Sequence, residues 1–467
     1  MPARDTDSVD DVTMEGRAPL ASAVSAAGQP WVRPVAIAIM VFSLVLVVVL
    51  AARHLQSPGG WQNAPGARSI AAVIVGMTVS LMALAVVAFR PESGELRALV
   101  RTTVAWTVAL LLALVASWVI IRYADPVHPW HGRLVQNQAE VEAFLAETVP
   151  PGITPILAPT GIVVKSLEFL SGDNVQVSGF YWQRIGPNLP DDFTPGLVPA
   201  EAVRDAFKQT EVYRYTEGDV ETIGWYFETT VREAFDYTYF PFDRQDVWLR
   251  LWSRDFRSDV ILTPDFSSYR DITPDSLPGI EEEFVYTGWT PRMSGFSMSQ
   301  QNYNSTFGIG EASANYTLPE MYFNVILDRV FFGVFFEHFI FALAVAILLF
   351  GLLVLTTDDE NLKTRYQLST AGVLGACSGL LFAVILKHNQ IRSVLGARGL
   401  SYIELIPLLL YLAIAAVTIN AIVLASPVSV RVVHHRNNLW PVLLYWPILL
   451  GTVLTVTLAM FYNFQAT

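Results

Sequence analysis

Cysteine is almost missing from the 467-residue chain: Cys377 stands alone. No intrachain disulfide can form, and any folded domain must rest on its core. Charge is scarce too, with only 15% of residues ionisable as Asp, Glu, Lys or Arg. Soluble domains carry about 25%, so the shortage points away from a soluble globule. Basic residues are outnumbered, leaving a net charge of −12, which makes nucleic acid a poor partner on electrostatic grounds. Hydrolase motifs are lacking as well. There is no Gly-x-Ser-x-Gly, no His-Glu-x-x-His, and no clustered metal ligands across 122–329. The expectation is therefore no enzyme, no cofactor and no metal site. The His128-Pro-Trp-His131 run is a poor ligand pair because Pro129 stiffens it.

What the chain has instead is apolar text, 52% of its residues. Crossing a hydrocarbon core as a helix takes roughly 20 apolar residues. Seven stretches meet or approach that length: Pro34–Ala52, Ser69–Phe89, Thr102–Ile121, Val330–Leu355, Leu368–Leu386, Tyr402–Leu424 and Trp440–Phe461. Gly372, Gly375 and Gly379 interrupt the fifth. The leader before the first stretch carries Asp5, Asp7, Asp10, Asp11 and Glu15 against Arg4 and Arg17. A cleaved signal wants a basic start, so an uncleaved span is expected.

Orientation follows from Lys and Arg in the short loops. Ten fall on the N-terminal side, including Arg90, Arg97, Arg101, Lys363, Arg365, Arg431 and Arg436, against five on the other. The N-terminus is then cytoplasmic, with a disordered acidic leader over 1–32 and three spans over 33–121. The segment 122–329 lies outside, periplasmic if the membrane is a bacterial inner membrane. It holds 30 Asp and Glu against 15 Lys and Arg.

That segment is the size of one domain. It opens on an amphipathic helical pattern, Leu134–Thr148, and then alternates as strands do. Gly161–Phe169 and Val175–Ile185 flank the turn Ser171–Asn174 and read as a hairpin. Trp225–Val231, Asp246–Trp252, Phe284–Pro291 and Tyr316–Leu327 read as further strands, and the set suggests a β-sandwich. The cytoplasmic side has no room for an output domain, so any signal passes through the membrane part or to a partner protein.

The most informative run is Tyr239-Phe240-Pro241-Phe242-Asp243-Arg244-Gln245. Pro241 between aromatics makes a stiff, apolar-tipped loop, and Asp243 and Arg244 are placed to lock the next strand. By itself it reads equally as a packed corner of a sandwich. In its place in the chain, the run resembles the signature loop of the pentameric ligand-gated ion channels, the Cys-loop receptors. In that family a Phe-Pro-Phe-Asp-x-Gln loop at the membrane end of an extracellular β-sandwich presses on the channel helices. Glu233 and Val247 stand where animal members have paired cysteines, a loss shared with the prokaryotic branch. Arg329 precedes the next helix, where the family keeps a basic residue, and four helices follow. The resemblance covers about Thr160–Phe461.

It implies an α+β membrane protein, with an extracytoplasmic sandwich over 122–329 as ligand-sensing domain and a four-helix channel bundle over 330–467. It implies gating coupling through Phe240, Pro241, Phe242, Asp243, Arg244 and Arg329. It also implies a homopentamer of self-associated chains in lipid, opened by a small-molecule ligand or a proton to a permeant ion. With Arg365 set at the inner end of the second channel helix, Gln367, Ala371, Leu374, Ser378, Leu381 and Ile385 share one face. Leu374 then falls on the family's central leucine, a gate by dewetting. A packed transmembrane helix is the plainer reading, and Gly375 and Gly379 fit it too. Asp358, Asp359 and Glu360 are the candidates for selectivity, favouring cations against the opposing Lys363 and Arg365.

The family's aromatic ligand box maps here to Trp252, Arg254, Tyr303 and Phe307. Arg254 replaces an aromatic residue, which weighs against an amine held by cation–π contact. Glu337, His338 and His388, with Lys387, are candidate proton sensors near a membrane boundary, or else a satisfied structural group. Two departures stand out: Phe341 replaces the usual proline of the first channel helix, and three extra helices precede the sensor domain. The competing expectation is a non-conducting seven-helix sensor that signals through a partner protein.

Overall fold

The computed structural model describes 96–123 and, with breaks, 130–462. Outside it lie 1–95, 124–129, 191, 204, 257–258, 282–287, 302, 306, 309–317, 358–368, 397–398, 428–429, 435–436 and 463–467. The expected spans Pro34–Ala52 and Ser69–Phe89 fall outside the described residues.

Five described helices are long and apolar enough to cross a bilayer: Leu96–Arg122, Phe331–Leu355, Thr370–Leu395, Tyr402–Ala425 and Leu439–Phe461. The shortest has 23 residues, above the roughly 20 that a hydrocarbon core requires. The chain is thus a multi-pass membrane protein of α+β content. We name the helices α1 (Leu96–Tyr123), α2 (Gln138–Thr148), α3 (Phe331–Leu355), α4 (Thr370–Leu395), α5 (Tyr402–Ala425) and α6 (Leu439–Tyr462). The helix around the glycines Gly372, Gly375 and Gly379 runs on past Leu386 to Leu395.

Among the described residues the β region has ten strands: β1 (Arg133–Val135), β2 (Ile156–Phe169), β3 (Asn174–Ile185), β4 (Leu197–Pro199), β5 (Lys208–Glu217), β6 (Val220–Arg232), β7 (Arg244–Ser253), β8 (Val260–Pro264), β9 (Trp289–Ser299) and β10 (Glu320–Arg329). They form two five-stranded sheets, ordered β1-β9-β10-β7-β4 and β5-β6-β3-β2-β8. Alternation explains their faces. On β7, Val247, Leu249 and Leu251 are buried, while Asp246, Trp248, Arg250 and Trp252 point the other way. Phe169 of β2 stacks on Trp289 of β9 at 4.6 Å, joining one sheet to the other.

The expected β2–β3 hairpin forms, with Gly179 opposite Val164. Gly179 is required there, since a Cβ would lie 2.1 Å from the Val163 carbonyl oxygen. Three expectations shift. The strand read at Phe284–Pro291 is described only from Trp289, and it continues to Ser299, with Ser297 and Met298 buried. The helix read from Leu134 starts at Gln138, because Arg133–Val135 pairs with β9 instead. Asn137 caps it, accepting from the Glu140 amide at 3.0 Å. β5 was not foreseen. Its residues are nearly all exposed, so it carries no core-facing alternation to read.

The chain divides into two compact units, Val127–Val345 with Leu380–Tyr411, and Met1–Pro126 with Ala346–Gly379 and Leu412–Thr467. In the second, Leu110, Ala113 and Leu114 of α1 form a buried cluster with Leu454 of α6. Ala113 and Ser117 are small, which lets helices approach closely. Asn438, at the entry to α6, donates to the Leu353 carbonyl at 2.9 Å and the Thr356 carbonyl at 3.3 Å, capping the end of α3. Asn420 of α5 donates to Asn438 Oδ1 at 2.9 Å.

Candidate functional site

The Tyr239–Gln245 run lies between β6 and β7, within the first unit. Tight turns fold it: the Phe240 amide donates to the Tyr237 carbonyl at 3.0 Å, and Phe242 to Tyr239 at 2.8 Å. The Phe240–Pro241 bond is cis. Asp243 is 4% exposed, yet it is fully engaged. Arg329 Nε and Nη2 donate to its two oxygens at 2.6 and 2.8 Å, and Gln245 Nε2 donates at 2.8 Å. The Arg329 guanidinium also lies 4.0 Å from the Trp289 ring centre and 4.6 Å from that of Phe240. A forked, planar cation that stacks on rings suits this place as lysine would not. Next along β7, Arg244 pairs with Asp328 of β10 at 2.7 Å, across the register.

The tip of the loop meets helices. Phe242 stacks on Phe331 at 4.9 Å and lies 6.1 Å from Tyr402. Phe240 is 5.9 Å from the His338 ring, and the Tyr402 amide donates to the Thr238 carbonyl at 2.8 Å. One seven-residue run therefore touches the starts of α3 and α5. All six residues read as coupling elements converge here.

Trp252, Tyr303 and Phe307 also come together. Their ring centres are 6.2, 5.9 and 5.1 Å apart, with Phe256 edge-on to Trp252 at 5.8 Å. They line a cleft of about 50 Å³, room for a few waters or a small head group. Glu320 is its polar anchor, accepting from Trp252 Nε1 at 2.7 Å and Tyr303 Oη at 2.6 Å. Burial raises the Tyr303 phenol, and its bond to Glu320 adds to that. Arg254 does not join them. Its side chain is exposed, and its amide donates to the Gly196 carbonyl at 3.1 Å.

The proton-sensor candidates split in two. Glu337 pairs with Lys387 at 2.9 Å and lies 3.7 Å from His338. His388 faces the other way, 3.5 Å from Glu404 and 3.2 Å from the Tyr411 hydroxyl. Glu404, absent from the sequence reading, is 4% exposed; it accepts from the Ser401 amide and hydroxyl and lies 3.4 Å from Arg392.

On α4, Val373, Cys377, Val384 and Ile391 are buried. Ala371, Ser378, Leu381 and Ile385 are exposed, and Leu374 is intermediate. The Ser378 hydroxyl donates back to the Leu374 carbonyl at 2.9 Å. Gln367, Asp358, Asp359 and Glu360 fall outside the described residues.

A second group missed in the sequence lies along the outward face of β7. Arg250 pairs with Glu201, donates to Tyr303 Oη at 3.0 Å and lies 3.6 Å from Glu320. Burial raises the Glu201 carboxyl despite that partner. His131 stacks on Trp248 at 4.2 Å. No signal along the chain marks Glu201 or Asp246, and Glu233 stands out only for its position with Val247, not as a buried carboxyl, because their neighbours are brought in by the fold.

No protein-family model and no curated protein matches this chain.

Proposed function

We propose that the chain is a subunit of a homopentameric ion channel gated by a small-molecule ligand or by protons. The observation that carries this reading is the seating of the Tyr239–Gln245 loop against α3 and α5, with Asp243 tied to Arg329 at the junction of β10 and α3. A rigid, ion-paired corner between a β domain and membrane helices is suited to pass a displacement of one to the other. The arrangement proposed is three N-terminal spans, the β domain, then four channel helices. In this reading the β domain is periplasmic, at a bacterial inner membrane.

In this reading α4 lines the pore. Its exposed face supports that, because Ala371, Ser378, Leu381 and Ile385 are left uncovered within the protomer and Leu374 is half-buried, while Val373, Cys377 and Val384 pack. A ring of Leu374 side chains closes the pore by dewetting. Asp358, Asp359 and Glu360 supply the cation preference, aided by the acidic β domain. The Trp252, Tyr303 and Phe307 cleft takes the ligand, with Glu320 as its polar end. Glu337, His338 and His388 are the proton-sensor candidates of this reading.

Oligomeric state tests the reading. The purified protein in detergent or nanodiscs is expected to run as a pentamer by native mass, and a stable monomer or dimer contradicts it. A pentamer that never conducts returns the chain to the non-conducting sensor with a partner protein.

A further inference from the structure

Glu233 and Trp248 bracket the loop whose tip meets the helices, and they close its base: the Trp248 amide donates to Glu233 Oε2 at 3.3 Å. Two residues before Trp248, Asp246 Oδ2 accepts from the His131 amide at 3.3 Å. Each carboxyl leaves one oxygen, Glu233 Oε1 and Asp246 Oδ1, buried and without a hydrogen-bond partner among the described residues. Glu233 is 4% exposed. Two ionised carboxylates in such a place are costly unless a cation or a proton joins them.

The neighbouring cations are committed elsewhere. Arg244 pairs with Asp328 on β10. Arg250 pairs with Glu201 and faces Glu320. His131, stacked between Trp248 and Tyr322, has its imidazole pushed down by burial and by Arg250, so it is neutral near pH 7. A metal ion is no better: among the described residues no three His, Cys, Asp or Glu groups are arranged to hold one. The proton is the cation left.

We propose that Glu233 and Asp246 form a proton-binding pair at the base of the 233–248 loop. One proton, held between their unpartnered oxygens, keeps the loop base closed, and its loss loosens the base. The carboxyl O–H of one residue donates to the carboxylate oxygen of the other. On deprotonation the two negative charges repel and draw in water. Burial pushes the Asp246 carboxyl up to about 7, and burial with the charges of Asp246 and Glu201 raises Glu233 well above the ordinary range. The proton site does not rest on the channel reading.

The test needs no current, so a protein that never conducts can still pass or fail it. Infrared difference spectra of the full chain in nanodiscs would follow the protonated-carboxyl band between about pH 5 and pH 9, alongside amide exchange over 233–248 corrected for intrinsic rates. The expected result is a band lost around pH 7, with loop-base exchange faster by about tenfold above that midpoint. Asp246→Asn should abolish that titration, and Glu233→Gln, which removes the neighbouring charge, should lower its midpoint. A band unchanged by Asp246→Asn, Glu233→Gln and their combination overturns the proposal. So does pH-independent exchange in the unsubstituted protein, whatever becomes of the variants.

Discussion

Arg329 and Asp243 show what a single contact does here. The carboxylate is nearly sealed, at 1% side-chain exposure against 13% for the arginine. Removing the cation strands a buried charge, a loss of about 3–5 kcal/mol. Arg329→Ala should lower the stability of the β domain by that much in chemical denaturation. Arg329→Lys should recover only part of it, because one ammonium cannot fill the fork or stack on Trp289 and Phe240. The same scale sets a pH dependence. The Asp246 carboxyl is raised from an ordinary 3.8 to about 7, so between those values the folded domain holds a proton that the unfolded chain has released. Its contribution is complete in acid and lost as pH rises through about 7. Denaturation midpoints should therefore fall from about pH 4 to pH 7, and Asp246→Asn should flatten that slope. Asp243 and Arg329 stood out in the sequence because local text frames both. Glu201, Glu233, Asp246 and Glu320 did not, since each finds its neighbours through the folding of the strands; Glu404 was passed over although its partner Ser401 stands three residues before it.

At the scale of elements, legibility tracks periodicity. The β2–β3 hairpin, β6, β7 and the described membrane helices carry strong alternation or long apolar runs, and their centres follow, while ends shift by as much as the run of α4 from Leu386 on to Leu395. β5 carries neither, as an edge strand exposed almost throughout. The Asn437–Asn438 turn was equally silent. Both residues adopt left-handed backbone, with φ of 56° and 68°, a region that asparagine tolerates better than most residues. Asn438 is 1% exposed and bonds to the end of α3 and to Asn420 of α5. Asn438→Ala should cost about 1–3 kcal/mol in unfolding. Asn438→Gly, which relieves the backbone but not the lost bonds, should remain destabilised. Equal stability of the glycine variant and the unsubstituted protein would show the bonds contribute little. The loop itself belongs to this scale: Phe242→Ala removes the stack on Phe331 and should weaken coupling between ligand binding and the helices while leaving ligand affinity within a few fold.

For the whole molecule, apolar length and scarce charge were enough to place the chain in a membrane, and strand alternation was enough to place a β domain between helix groups. Neither explained the helix that precedes the β domain. That helix, α1, lies against α6 through Leu110, Ala113, Leu114 and Leu454. Ala113→Leu should crowd that seam, at a cost of about 1–3 kcal/mol in detergent unfolding. Conduction through a pore lined by α4 is the central claim, and current from the purified protein in planar bilayers, scanned across pH, tests it most directly. The account predicts single-channel currents that appear within a limited pH range, and a Leu374→Ser variant that opens more readily because its gate wets. Silence at every pH from both proteins, each intact by native mass, would contradict it.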